Sequence, residues 1–329
     1  MTKQQRTRLA LVSGVLFLVA LPPVALFLDQ IYLVSLMSRV LIYALAAVSL
    51  DLLLGYGGLV SLGHAAYVGI GAYVVGIGFF HASEMEPLIK WPFVINGSEN
   101  GLIILPLAAL VSAVFAVVFG AMSLRTKGMH FIMITLAFAQ MLYYLFVSMG
   151  KYGGSDGLSL YSRSSIPSMD LGSDVQFYYV CFALLIGFLI CAERLVRSRF
   201  GLIVRGAKEN PRRIQALGIH AFRYQLVLFM IAGAGAGLAG ALLANQTEYV
   251  SPGLFHWTLS GELMVMVILG GLGTLYGPIL GAAAFLLMEE TLAMYTEHWM
   301  IYMGPFLIFV VLFAKGGLWP LLVGRGEHE

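Results

Sequence analysis

Six polar side chains stand within or beside long apolar runs of this chain: Arg39, Asp51, His64, Gln140 and the adjacent pair Glu289-Glu290. An ionisable group at membrane depth is costly, so such residues usually mark ion or proton pathways. A proton relay or ion-coupled transport would draw on Arg39, Asp51 and His64. Arg39 and Asp51 are twelve residues apart, about 18 Å along a helix, and cannot pair with each other. Asp51 and His64 fall near one end of their apolar runs, where they would either relay protons or bond backbone freed by the neighbouring glycines. Gln140 must find a partner within the bundle or line a pathway. The Glu289-Glu290 pair lies at an expected span end and reads as a solvated helix terminus.

Several chemistries find no support. The phosphate-binding pattern G-x-x-x-x-G-K-[ST] does not occur, so the chain is not expected to hydrolyse ATP itself. The pattern H-E-x-x-H is not present. Gly235-Ala-Gly-Leu-Ala-Gly240 has the G-x-G-x-x-G spacing, but it sits inside an apolar helical run with no preceding strand. Small residues let helices approach closely in lipid, which is the better reading. Cys181 and Cys191, ten residues apart, would lie about 15 Å from each other on a helix, too far for a disulfide; both read as packing residues.

The elements that must position these groups are membrane helices. The chain has 329 residues, 60% hydrophobic and 11% charged, with a mean hydropathy of +0.88; a soluble domain is about 25% charged. Spans are expected near 9–28, 31–54, 59–80, 102–123, 128–148, 176–196 and 225–246, then a short pair at 259–271 and 276–290, and a last span near 299–315. The result is an all-α, polytopic membrane protein, one transmembrane domain over residues 1–329. It has eight crossings if the pair near 259–290 is a re-entrant hairpin and ten if it is two short spans. With the N-terminus, 124–127, 193–223 and 315–329 on the cytoplasmic side, fifteen of the nineteen Lys and Arg fall inside. The acids Glu84, Glu86, Glu99, Asp156, Asp170, Asp174 and Glu297 then fall outside, so both termini are expected to be cytoplasmic. The first run, too long for a signal core and lacking a clean cleavage site, reads as a retained helix kinked at Pro22-Pro23.

The longest polar interval runs from Arg197 to Arg223. It carries Arg197, Arg199, Arg205, Lys208, Arg212, Arg213 and Arg223 against one acid, Glu209. Leu202, Ile203, Ala207, Ile214, Leu217 and Ile219 are interspersed as on short amphipathic helices. Pro211 can start a helix and Gly218 can stop one. This interval should present a docking surface inside the cell. Three glycine-rich interruptions also stand out: 55–66, 231–240 and 269–278. Non-helical backbone at membrane depth is tolerated only in protein or along a cavity, so the last should sit near a pathway or a subunit interface. Lys151-Tyr-Gly-Gly-Ser-Asp-Gly157 is an outer turn, and a candidate contact for an external delivery protein.

At this point a family resemblance emerges. Gly57-Gly-Leu-Val-Ser-Leu-Gly-His-Ala-Ala66, Thr135-Leu-Ala-Phe-Ala-Gln140, Gly153-Gly-Ser-Asp-Gly-Leu158, Glu209-Asn210, Ala216-Leu-Gly-Ile219, Phe222-Arg-Tyr224 and Gly270-Gly-Leu-Gly-Thr274 together resemble the LivM-type permease subunits of bacterial branched-chain amino acid ABC importers. The resemblance covers about residues 35–318 and implies the ABC importer permease fold in the bacterial inner membrane. It implies a second, related permease subunit, two cytoplasmic ATPases that bind the ATP, and a periplasmic substrate-binding protein, with no cofactor on this chain. Arg205, Lys208, Glu209, Asn210 and Gly218 would be the ATPase-coupling residues. Ser61, His64, Gln140, Gly271 and Gly273 are candidates for the pathway or its gating, and Ser155 and Asp156 for the binding-protein contact. After Glu209-Asn210 the chain departs from the family's small and acidic residues with Pro211, Arg212, Arg213 and Ile214. Relatives also import urea, short amides or aromatic acids. The alternative from a different class is an ion-coupled secondary transporter that works alone.

Overall fold

The computed structural model describes residues 3–85, 87–89, 95–166, 171–296, 298–313 and 316–323. Glu86, Lys90, Asp170, Glu297, Lys315 and the C-terminal residues 324–329, which entered the charge reading, lie outside them. The apolar runs form helices because no backbone group in them has a competing polar partner. In order these are α1 (Lys3–Phe27), α2 (Ile31–Asp51), α3 (His64–Ser83), α4 (Gly101–Ser123), α5 (Met129–Ser148), α6 (Asp174–Arg197), α7 (Arg199–Glu209), α8 (Pro211–Ala216), α9 (Ala221–Thr247), α10 (Trp257–Gly270), α11 (Gly277–Tyr295), α12 (Trp299–Phe313) and α13 (Leu318–Val323). Every expected span falls on a helix. Among the described residues seven helices are long and apolar enough to cross a membrane, and two shorter apolar stretches are Val12–Phe27 and Trp257–Gly270. The first run continues through Pro22-Pro23 as one helix.

Two small antiparallel ribbons close one end of the bundle. β1 (Pro87–Ile89) pairs with β2 (Ile95–Asn96), and β3 (Leu158–Ser159) pairs with β4 (Tyr249–Val250). Arg163 ties this end together: its guanidinium lies 2.7 Å from Asp174 and 3.7 Å from Glu248, and stacks over Phe177 at 4.9 Å. Asn245 at the end of α9 accepts the backbone N–H of Ser164 at 2.7 Å.

The core is α3 and α9, the most buried spans, with α2 and α4 against them. The glycines of the 231–240 stretch explain the closeness. A Cβ on Gly71 of α3 would stand 1.9 Å from the Gly237 carbonyl oxygen, and one on Gly240 would stand 1.9 Å from that of Val68. Ser112 of α4 adds a hydroxyl bond of 3.2 Å to the Tyr67 carbonyl. In lipid such close packing, not hydrophobic burial, holds helices together. Gly235–Gly240 is therefore packing surface. Gly71→Val is expected to force the α3–α9 pair apart at a cost of at least about 1–3 kcal/mol; a sharp loss of membrane-integrated, monodisperse protein checks this.

One boundary differs from the sequence reading. The third span begins at His64, not near 59, because α2 runs on through a single π-helical turn, Leu52–Tyr56. The chain then crosses residues 57–63 without helix, with Gly58 at φ +67°. Two of its amides bond back to the π turn, Gly57 to Leu52 O at 3.1 Å and Leu59 to Leu53 O at 2.9 Å, and just inside α3 Ala65 bonds the Ser260 hydroxyl of α10 at 2.9 Å.

Candidate functional site

The polar interval 197–223 folds as two helices with an apolar underside. Asn210 separates them. Its side chain accepts the Arg213 N–H at 3.1 Å, which makes it the N-cap of α8, and Pro211 occupies the first helical position. Gly218 ends the unit at φ +79°, a conformation open to glycine. Ile214 of α8 folds onto Gly206 of α7, where an added Cβ would come within 2.9 Å of its Cδ1. Arg205 belongs to the hinge beneath: its guanidinium donates to the carbonyls of Gly201 at 3.4 Å and Val196 at 3.2 Å, bracing the α6–α7 corner. Glu209 is exposed at the tip of α7.

Lys208 joins this surface to the membrane helices. Its Nζ donates to the Gly55 carbonyl at 2.7 Å, inside the π turn that extends α2. Gly55 is next to the end of that helix, where carbonyls have no intrahelical partner, and the ammonium takes its carbonyl. Four residues earlier, Asp51 is 1% exposed, and its Oδ1 accepts the Gly273 N–H at 2.8 Å. Gly55 permits this second bond, since a Cβ there would lie 2.2 Å from Asp51 Oδ1 and 2.4 Å from Gly273 N. So α7, the end of α2 and the turn between α10 and α11 form one continuous polar linkage. One Asp51 oxygen thus bonds freed backbone in a glycine-rich segment, and Oδ2 is buried with no hydrogen-bond partner among the described residues.

The α10–α11 turn is itself held tightly. Gly271 has φ +124° and Gly273 φ +71°. Thr274 bonds the Gly271 carbonyl at 2.6 Å, and a Cβ on Gly317 would stand 2.5 Å from Gly271 Cα. The turn thus lies level with the Tyr56 end of α2 and the segment after α12. A cleft of about 340 Å³ opens beside Lys208, lined among others by Gly58, Thr126, Lys127, Ala207 and Gln215.

The remaining candidates separate. His64 is fully buried at the start of α3; its Nε2 lies 2.8 Å from the Ser49 hydroxyl, and its Nδ1 has no partner among the described residues. Ser61 is fully buried and its hydroxyl likewise has no partner among the described residues. Gln140 is half-buried on α5. Ser155 and Asp156 are exposed at the ribbon end, where the Asp156 carbonyl accepts the Tyr249 hydroxyl and its side chain accepts that of Ser155 at 3.1 Å. Lys208, Gly271 and Gly273 are thus brought to one end of the bundle, and Ser155 and Asp156 lie elsewhere.

The profile of the family described as "Branched-chain amino acid transport system / permease component" matches residues 32–314. The chain belongs to this family. It is a multi-pass membrane permease, and its relatives are named permease proteins. The high-affinity branched-chain amino acid permease LivM of Salmonella typhimurium is 25% identical over 93% of this chain and 75% of that protein. The probable LivM of Methanocaldococcus jannaschii is 25% identical over 85% of the chain and 90% of its own length. The probable LivH permease of the same organism is 30% identical over 36% of each. No solved structure matches the chain significantly.

Two features of the permease escaped the sequence reading. Glu289 is not a solvated end. Helix α11 continues to Tyr295, and Glu289 pairs with Arg39 of α2 at 3.3 Å, while Glu290 accepts the Tyr32 hydroxyl. The partners are 250 residues apart, so no local pattern links them. Cys191 is exposed on α6 and only Cys181 of the two is buried.

Proposed function

We propose that this chain is one half of the membrane pathway of an ABC importer for branched-chain amino acids, with a second, LivH-like permease as the other half. Two cytoplasmic ATPases supply the work, and an external binding protein delivers the substrate. The chain acts as one transmembrane unit, binds no cofactor of its own, and keeps both termini and the α7–α8 insert in the cytoplasm. The observation that carries the reading is the bond from Lys208 to Gly55. It connects a basic, partner-ready insert to the buried Asp51–Gly273 contact. ATP binding in the partners favours one arrangement of the bundle by shifting α7, and the linkage passes that difference to the α10–α11 turn. Ser155 and Asp156 face the binding protein.

The test is co-purification in mild detergent followed by reconstitution. Two ATPases and a sister permease should accompany the chain, and ATP-driven leucine uptake should need all of them plus the binding protein. Uptake by the isolated chain on an ion gradient would sink the reading. Glu209→Lys reverses the one acidic charge of the insert. It is expected to leave the subunit in the membrane and to lower coupled uptake at least about tenfold, a loss of about 1.4 kcal/mol in coupling. Comparing uptake with ATP hydrolysis in the same vesicles checks this.

A further inference from the structure

A second group of charges lies at membrane depth on the other half of the bundle, well away from the Lys208 linkage. Arg39 is eight residues past Ile31, the start of α2, or about 12 Å along it. Glu289 is six residues before Tyr295, the end of α11, or about 9 Å. Glu262 is five residues past Trp257, the start of α10, or about 8 Å. These helix ends lie on the side of the bundle away from Gly55 and Gly273. The three residues converge: Arg39 and Glu289 are 3.3 Å apart, and Glu262 lies within electrostatic reach of both. Arg39 also sits over the Tyr43 ring at 5.7 Å.

The group is not sealed inside the bundle. The Arg39 and Glu289 side chains are 37% and 22% exposed, and Glu262 is half-buried. Beside Glu262, a Cβ on Gly261 would meet nothing within 4 Å. Lipid is a poor neighbour for this surface, since a charge at bilayer depth costs about 2.5–3.5 kcal/mol even on permissive scales. The face that α4 leaves uncovered is of the opposite kind: Ile103, Leu107, Leu110, Val114, Val118 and Met122 are all exposed there. The exposed face of α4 is thus apolar throughout, whereas the surface around Arg39, Glu262 and Glu289 carries charge.

The group offers charge of both signs: the Arg39 guanidinium, paired with Glu289, and the carboxyl of Glu262 near them. An α-amino acid in zwitterionic form matches such a pairing of opposite signs, with its ammonium against Glu262 and its carboxylate against the Arg39 guanidinium. Resting on the importer reading above, we infer that Arg39, Glu262 and Glu289 line the translocation pathway and hold the charged head group of the passing amino acid. The apolar side chain of the substrate is left to the aliphatic surroundings, so this site recognises the head group common to amino acids and selects little among side chains.

The complete transporter in proteoliposomes, in a Cys181→Ala, Cys191→Ser background, tests the site with a membrane-impermeant thiol reagent and L-leucine. Gly261→Cys is expected to react at least about ten times faster than Leu110→Cys on α4, and saturating leucine with the binding protein should slow it. Glu262→Gln should lower leucine uptake at least about tenfold while ATP hydrolysis persists. Equal labelling of the two cysteines, labelling of Gly261→Cys that leucine does not slow, or wild-type uptake by Glu262→Gln would each overturn the inference. If the unmodified transporter took up no leucine, the importer reading would fail by itself. The labelling contrast would still decide which side of the bundle faces water.

Discussion

Gly55→Val is expected to abolish leucine uptake while leaving the subunit in the membrane. A Cβ at this position would lie 2.2 Å from Asp51 Oδ1, 2.4 Å from Gly273 N and 2.6 Å from Gly273 Cα. Two of these three atoms are backbone, which cannot rotate aside as a side-chain tip can. The α10–α11 turn must therefore retreat, and the 2.8 Å bond from Gly273 to Asp51 must break. Overpacking costs roughly 1–3 kcal/mol, and leaving a buried donor and acceptor without partners costs roughly 1–3 kcal/mol more. That strain falls on one contact between α2 and the turn, not on the α3–α9 core. Vesicles with wild-type partners should thus show normal subunit content, residual ATP hydrolysis and no uptake. Asp51→Asn keeps an acceptor oxygen and should be far milder. Wild-type uptake by Gly55→Val would mean that the turn does not need this contact to work.

Lys208→Met should uncouple the transporter. Its ammonium bond to the Gly55 carbonyl is 2.7 Å long and links α7 to α2 across 153 residues of sequence. Methionine retains most of the stem that packs over Gly58, where a Cβ would meet Lys208 Cγ at 2.7 Å. The substitution therefore removes mainly the charge. A hydrogen bond involving a charged group contributes roughly 1.5–3 kcal/mol, and the lower end applies beside an open cleft. Uptake per ATP hydrolysed should fall about tenfold, and Lys208→Arg should recover part of it because a donor is restored. Equal falls in hydrolysis and uptake would point instead to lost docking of the ATPases.

The helices themselves were readable from the chain alone. Unbroken apolar runs leave a backbone no alternative to its own hydrogen bonds, so each expected span became a helix. The insert was readable too, because Asn210-Pro211 and Gly218 are local signals that act within one or two turns. The start of the third span was not. The π turn at Leu52–Tyr56 depends on Lys208 and on the α10–α11 turn as neighbours, and these are far along the chain. Glu289 was misplaced for the same reason: its partner, Arg39, is on another helix.

Composition and periodicity determined that this protein spans a membrane many times and that an amphipathic basic insert interrupts the spans. These follow from the solvent preference of each residue and from short-range backbone geometry, which the sequence carries locally. Only the tertiary structure decided that Asp51 holds a glycine amide, that Lys208 reaches the end of α2, and that Arg39 pairs with Glu289. Each of those depends on which helices are neighbours. Neighbours in lipid are chosen by close packing of small residues such as Gly71, Gly237 and Gly240, a many-body fit that no short stretch of sequence encodes.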